Sequence, residues 1–214
     1  MAGIHGSPRP RPATARLSVV GGALVLVAVV VLLPSVVAAA SGTVWVAKKV
    51  LPISVDPGSI AAVSCPSSST CWAVADGDIL HTDDRGRRWR TTRDPVPDVD
   101  LAAISCPTTS TCWAAGHGSG SGSVITTSNG GRDWRAQALP SGTPSLATIS
   151  CPTVTVCLTA GTSGPGDEEL RIVATTDGGT TWTAGDPVGV EGKVTGISCP
   201  TAADCRAVGR GGSD

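Results

Sequence analysis

The sequence predicts an all-β fold made by repeating one four-stranded sheet, and three observations predict it. The segment Ile60-Ala-Ala-Val-Ser-Cys65-Pro returns as Leu101-Ala-Ala-Ile-Ser-Cys106-Pro, Leu146-Ala-Thr-Ile-Ser-Cys151-Pro and Val194-Thr-Gly-Ile-Ser-Cys199-Pro. Six residues after each of those cysteines comes a second: Cys71, Cys112, Cys157 and Cys205. The first three copies then reach another motif, Thr82-Asp-Asp-Arg-Gly-Arg-Arg-Trp89, Thr127-Ser-Asn-Gly-Gly-Arg-Asp-Trp134 and Thr175-Thr-Asp-Gly-Gly-Thr-Thr-Trp182. Copies starting 41, 45 and 48 residues apart leave room for four short strands each, which is the blade arithmetic of a β-propeller. A β-sandwich is the architectural alternative, but four units this alike do not suit one.

In chain order, residues 1–40 read first as an export segment. Arg9, Arg11 and Arg16 precede an apolar run from Leu17 to Leu33, and Ala38-Ala39-Ala40 then leads into Ser41. A basic flank, an apolar centre and a small-residue cleavage site describe a secretory signal. Extended through Ala40, the same stretch is long enough for one uncleaved membrane-anchoring helix. Both readings place residues 41–214 outside the cytoplasm, because the arginines stay inside. Residues 41–59 follow as a strand and linker, in which Thr43–Val50, with Trp45, is a candidate outer strand. The repeats then occupy 60–100, 101–145, 146–193 and a partial 194–214.

Within a unit, Ile60–Cys65 and Cys71–Ala75 are short, apolar runs flanking a Pro/Ser/Thr turn, as expected of strands covered on both faces. Asp78–Thr82 is the third strand, and the fourth starts at Trp89. The fourth copy stops after its second strand near Gly209. The expectation is a partial propeller of three complete blades and half a blade.

The second motif, Ser/Thr-x-Asp-x-Gly-x-x-Trp, resembles the Asp-box, or BNR repeat, of sialidase-type propellers, the sortilin ectodomain and photosystem assembly propellers. Its residues here are Thr82, Asp84, Gly86 and Trp89, then Thr127, Asn129, Gly131 and Trp134, then Thr175, Asp177, Gly179 and Trp182. The chemistry of these residue types points to scaffold: hydroxyl and Asp or Asn satisfy turn amides, Gly takes positive φ, and Trp packs where blades meet. Arg85 stands where the other copies have Gly130 and Gly178, which predicts a first turn that differs in detail.

The cysteines read as staples. Zinc sites favour two to four residues between ligands, whereas each pair here encloses five, and no His recurs with the repeat. A five-residue hairpin loop in an exported chain instead predicts the disulfides Cys65–Cys71, Cys106–Cys112, Cys151–Cys157 and Cys199–Cys205.

Length variation singles out one face. The spacing from each motif Trp to the next copy is constant, while the loop joining strands two and three grows from copy to copy. Insertions of that kind mark loops that tolerate change and carry binding residues. In an up-and-down blade these loops share a face with the links between blades. That face collects Asp76, Asp78, Asp98, Asp100, His117, Asp167, Glu168 and Glu169 as candidate ligand residues, with Asp94, Asp186 and Glu191 in the links. An acidic face favours a cation or a basic partner. Ordinary solvated loop charges are the alternative.

Composition excludes several classes. A net charge of −1 gives no bulk electrostatic grip on nucleic acid. The Asp-box resemblance invites a sialidase, which implies a Tyr nucleophile and an arginine triad; the chain has no Tyr and no recognisable triad. Paired-carboxylate hydrolysis, drawing on Asp76 and Asp167, is the enzymatic alternative. The expected function is a non-catalytic module, secreted or anchored at the cell surface, that binds a cell-envelope protein or glycan. No cofactor or metal is expected.

Overall fold

The computed structural model describes residues 60–75, 77–92, 95–163, 169–186 and 192–211. The export segment, the 41–59 strand and linker, and Asp76, Asp94, Asp167, Glu168 and Glu191 lie outside the described residues. All described residues fall in one compact unit, Lys48–Asp214. They form strands and turns, and among them no helix is long and apolar enough to cross a membrane.

The first sheet is the meander β1 (Ile60–Ser64), β2 (Cys71–Ala75), β3 (Asp78–Thr82) and β4 (Arg90–Thr92). The second is β5 (Val99–Ser105), β6 (Cys112–Gly118), β7 (Ser121–Thr127) and β8 (Arg135–Ala136). The third is β9 (Ser145–Ser150), β10 (Cys157–Ser163), β11 (Glu169–Thr175) and β12 (Thr183–Ala184). A two-stranded sheet of β13 (Gly192–Thr201) and β14 (Asp204–Gly211) follows. Every pairing is antiparallel between sequence neighbours. This is a partial β-propeller. The outer strand β4 starts one residue later than expected, leaving Trp89 to close the turn before it.

Packing explains why short, Ala-rich runs suffice as strands. Both faces of β2 are covered, so it buries Trp72, Ala73, Val74 and Ala75 together. Between the first two sheets, Trp72, Val74 and Ile79 meet Leu101, Ile104, Ile125 and Trp134. Between the second and third, Trp113, Ala115 and Val124 meet Leu146, Ile149, Val173 and Trp182. The motif tryptophans reach across these junctions, with Trp134 edge-on to Trp72 at 6.0 Å and Trp182 to Trp113 at 5.9 Å. Such aromatic pairs contribute about 0.5–1.5 kcal/mol beyond the area they bury. A Cβ on Gly131 would collide with the Trp72 ring, so glycine there is what lets the turn lie on the indole.

Each first strand carries a bulge near its start, where the register shifts past Ala61, Ala102, Ala147 and Thr195. The bulge bends the strand and adds twist, helping successive sheets turn about a common centre. All four disulfides close within the predicted cysteine pairs.

Candidate functional site

Two kinds of turn end each blade on one face, and hydrogen bonds tie them together. In the first blade, Thr82 donates its hydroxyl to Asp84 Oδ1 at 2.9 Å and accepts the Gly86 amide at 3.0 Å. Asp84 Oδ1 also accepts the Arg88 amide at 2.9 Å. Thr127, Asn129, Gly131 and Asp133 repeat the pattern, as do Thr175, Asp177, Gly179 and Thr181. The three threonines are buried, so each hydroxyl works where water is excluded. Hydrogen bonds from the Thr181 hydroxyl and then its amide hold the Asp177 carboxyl down from 3.8 to about 2. The Arg88 amide lowers Asp84 in the same way. These carboxylates are occupied in holding the turn.

The first turn does not differ in detail, contrary to the sequence expectation. Arg85 adopts φ 65°, beside 70° at Gly130 and 71° at Gly178. Its amide donates to Ser69 O at 3.0 Å, matching Gly130 to Ser110 and Gly178 to Thr155 at 2.9 Å. That bond joins the motif turn to the disulfide turn of the same blade and holds Arg85 in the left-handed region.

Sequence reasoning missed one recurring residue, the hydroxyl two places after each first cysteine. Ser67, Thr108, Thr153 and Thr201 each accept two amides within the disulfide loop. Cys-Pro-Ser/Thr in every copy was the signal that could have found it.

The variable loops and links gather elsewhere. Gly77 from the first blade's loop, Pro97 and Asp98 from the link, and His117, Gly118 and Ser119 from the second blade's hairpin line a cleft of about 600 Å³ with Val99 and Asp100. Asp100 and His117 are cross-strand partners on β5 and β6, which brings His117 Nε2 within 3.7 Å of Asp100 Oδ2. Both remain more than half exposed, at 65% and 52%. A Cβ on Gly116 would collide with the Asp100 carbonyl oxygen, so the close approach of β5 to β6 depends on that glycine. Asp98 (φ 62°) and Ser119 (φ 46°) both hold left-handed backbone at the rim. Such outliers persist only where surrounding structure fixes them.

Of the eight candidate ligand residues, the structure thus brings together Asp98, Asp100 and His117. Asp78 opens β3 and Glu169 opens β11, and neither lines the cleft. Asp76, Asp167 and Glu168 lie outside the described residues. Among those described, no three His, Cys, Asp or Glu side chains are grouped to hold a metal ion.

Comparison with known proteins places the fold. No protein-family model and no curated protein matches the chain. Among solved structures, it is similar to YCF48 bound to D1 peptide, with TM-score 0.51, 19% identity and coverage of 62% of this chain and 43% of that one. It is also similar to streptogramin B lyase, with TM-score 0.54, 15% identity and coverage of 68% and 46%. The chain therefore spans less than half the length of either structure. At such identities the likeness shows the fold alone: the described residues form a β-propeller-type assembly.

Proposed function

We propose that the chain is a non-catalytic propeller module that works outside the cytoplasm and binds a basic segment of a cell-envelope protein at the Asp98, Asp100 and His117 cleft. The observation that carries this reading is the contrast between two sets of carboxylates. Asp84 and Asp177 are engaged by turn amides and hydroxyls. Asp100 instead stands exposed beside a cavity, its carboxylate 3.7 Å from His117 Nε2. A concave site with a few convergent polar groups is the usual form of a binding site. The negative charge selects a cationic segment.

We read the three threonine turns as Asp-boxes, which their shared hydrogen bonding supports. Export is supported by the three arginines before the apolar run and by four disulfides, which persist in oxidising compartments. If the apolar segment is not cleaved, it anchors the module to the membrane. That a propeller of this type accommodates a peptide is illustrated by YCF48, whose structure holds one. This is an analogy of fold.

The test is binding of a positional-scanning peptide library to the full chain, with a glycan array and chromogenic glycosides in parallel. Lys- and Arg-bearing peptides should bind in a salt-sensitive manner. The double substitution Asp98→Asn, Asp100→Asn should weaken that binding roughly tenfold or more, the scale of one lost charged contact. Binding indifferent to the substitutions, or confined to glycans, would overturn the peptide reading. Glycoside turnover that disappears on Asp→Asn substitution would overturn the non-catalytic one.

A further inference from the structure

We propose that the first motif turn, residues 82–90, is a basic docking surface for the anionic headgroups of a membrane, and that it holds the module with its acidic cleft facing away from the lipid. This rests on the reading that places the repeats outside the cytoplasm on a membrane-anchoring segment. The turn departs from its own repeat in charge. Arg85, Arg87, Arg88 and Arg90 stand there against Asp83 and Asp84. The second turn has Arg132 and Arg135 against Asp133, and the third has no arginine against Asp177. All four arginines of the first turn are exposed. The disulfide loops on the same face, 65–71, 106–112 and 151–157, contain no charged residue.

The carboxylates of the turn do not bury these charges. Asp84 accepts the Thr82 hydroxyl and the Arg88 amide. Asp83 meets Arg90 at 3.0 Å, but the pair is 53% and 70% exposed, so solvent screens it and the guanidinium stays accessible. The backbone adds a second observation. Arg85 holds φ 65° where the other copies have glycine, and its amide makes the same bond that theirs make. Folding alone favours glycine at that position. A residue kept in a costly conformation points to function. Guanidinium groups match phosphate oxygens in bidentate geometry. A turn projecting from the end of a sheet offers them to a surface of charges rather than enclosing one small anion.

Position in the blade supplies the orientation. β3 runs from Asp78, next to Gly77 at the cleft, to Thr82 at the turn. The two charged surfaces therefore stand at opposite ends of one strand, about 17 Å long. An anionic membrane attracts the arginine end and repels the end that carries Asp98 and Asp100. Nineteen residues, 41–59, separate the apolar segment from β1, a chain whose fully extended reach is about 60 Å. That length lets either end of an anchored module meet the headgroups. Tethering thus keeps the turn within range of the lipid, and the charge asymmetry selects which end docks.

The test is arginine footprinting of the full chain with phenylglyoxal and peptide mapping, in vesicles of phosphatidylcholine alone or mixed with phosphatidylglycerol. In the anionic vesicles, labelling of Arg87 and Arg88 should fall roughly threefold or more and return at high salt. Arg210, exposed at the far end of β14, should label equally in both. The replacement Arg85→Gly, Arg87→Thr, Arg88→Thr gives the first turn the residues of the third at those positions, where the same turn forms. Hydrogen exchange of residues 82–92 should slow in anionic vesicles for the wild type and not for this variant, with peptide binding at the cleft unchanged. Equal labelling in the two kinds of vesicle would overturn the proposal. So would equal protection by soluble oligoglutamate added to phosphatidylcholine vesicles, which would assign the turn to an acidic protein segment. Retention of the chain by phosphatidylcholine vesicles reads the anchor separately, so failure of the anchor and failure of the docking surface are distinguishable.

Discussion

Arg85 is the residue at which the repeat works against local backbone preference. A left-handed φ costs a residue with a Cβ roughly 1–2 kcal/mol, and the other two copies avoid this with glycine. Arg85→Gly should therefore stabilise the protein by about 0.5–1 kcal/mol, once the extra unfolded-state freedom of glycine is subtracted. A higher thermal midpoint, with the disulfides intact, is the expected result; a lower one would show that the arginine side chain contributes more than its backbone costs. His81 carries a different conflict. It stacks on Trp72 with ring centroids 3.9 Å apart, and burial lowers its pKa from 6.5 against the opposing pull of Asp83. A lowered folded value means the unfolded chain takes up the proton first, so stability falls as pH drops below about 6.5 towards the folded value. Thermal midpoints measured downward from pH 8 should show that decline, and His81→Gln should flatten it. A wild-type profile that the substitution leaves unchanged would place the titrating group elsewhere.

At the level of turns and strands, stability rests on hydroxyls that a repeat alignment shows but does not rank. Thr127 donates to Asn129 and accepts the Gly131 amide from a position 1% exposed. Thr127→Val keeps the volume and leaves the Gly131 amide without its acceptor, which should cost about 1–3 kcal/mol. In a chain of this size that corresponds to a fall of about 2–4 °C per kcal/mol. Thr126→Val beside it removes only a bond to the Cys112 carbonyl and should cost less; equal losses at the two sites would contradict the turn's special role. Strands one to three were legible in the sequence because Cys, Pro, Asp and Gly recur at fixed offsets and bound each apolar run. The disulfides were legible for the same reason. The cleft was legible only in part: loop-length variation marked its face, and charge marked its residues. That Asp100 and His117 pair across β5 and β6 follows from a bulge and from Gly116, neither of which the local pattern announces.

Across the molecule, burial is graded from the middle outward, and so should be resistance to opening. The second sheet is covered on both sides, and β6 buries its first five residues. The two-stranded sheet packs mainly through β13, and seven of the eight residues of β14 are exposed. The disulfides follow the same gradient: Cys112 and Cys157 are fully buried, whereas Cys65 is exposed. In an array whose units contact only their neighbours, local opening free energies track the neighbours each unit has. Native-state hydrogen exchange should therefore be slowest in β6, β7 and β10, and fastest in β14. Under limiting reductant, Cys65–Cys71 should open before Cys106–Cys112 or Cys151–Cys157, read by alkylation and peptide mapping. Uniform exchange across the four sheets would mean that the molecule opens as one cooperative body. The graded burial would then describe exposure alone, and the middle sheet would not be the nucleus of the fold.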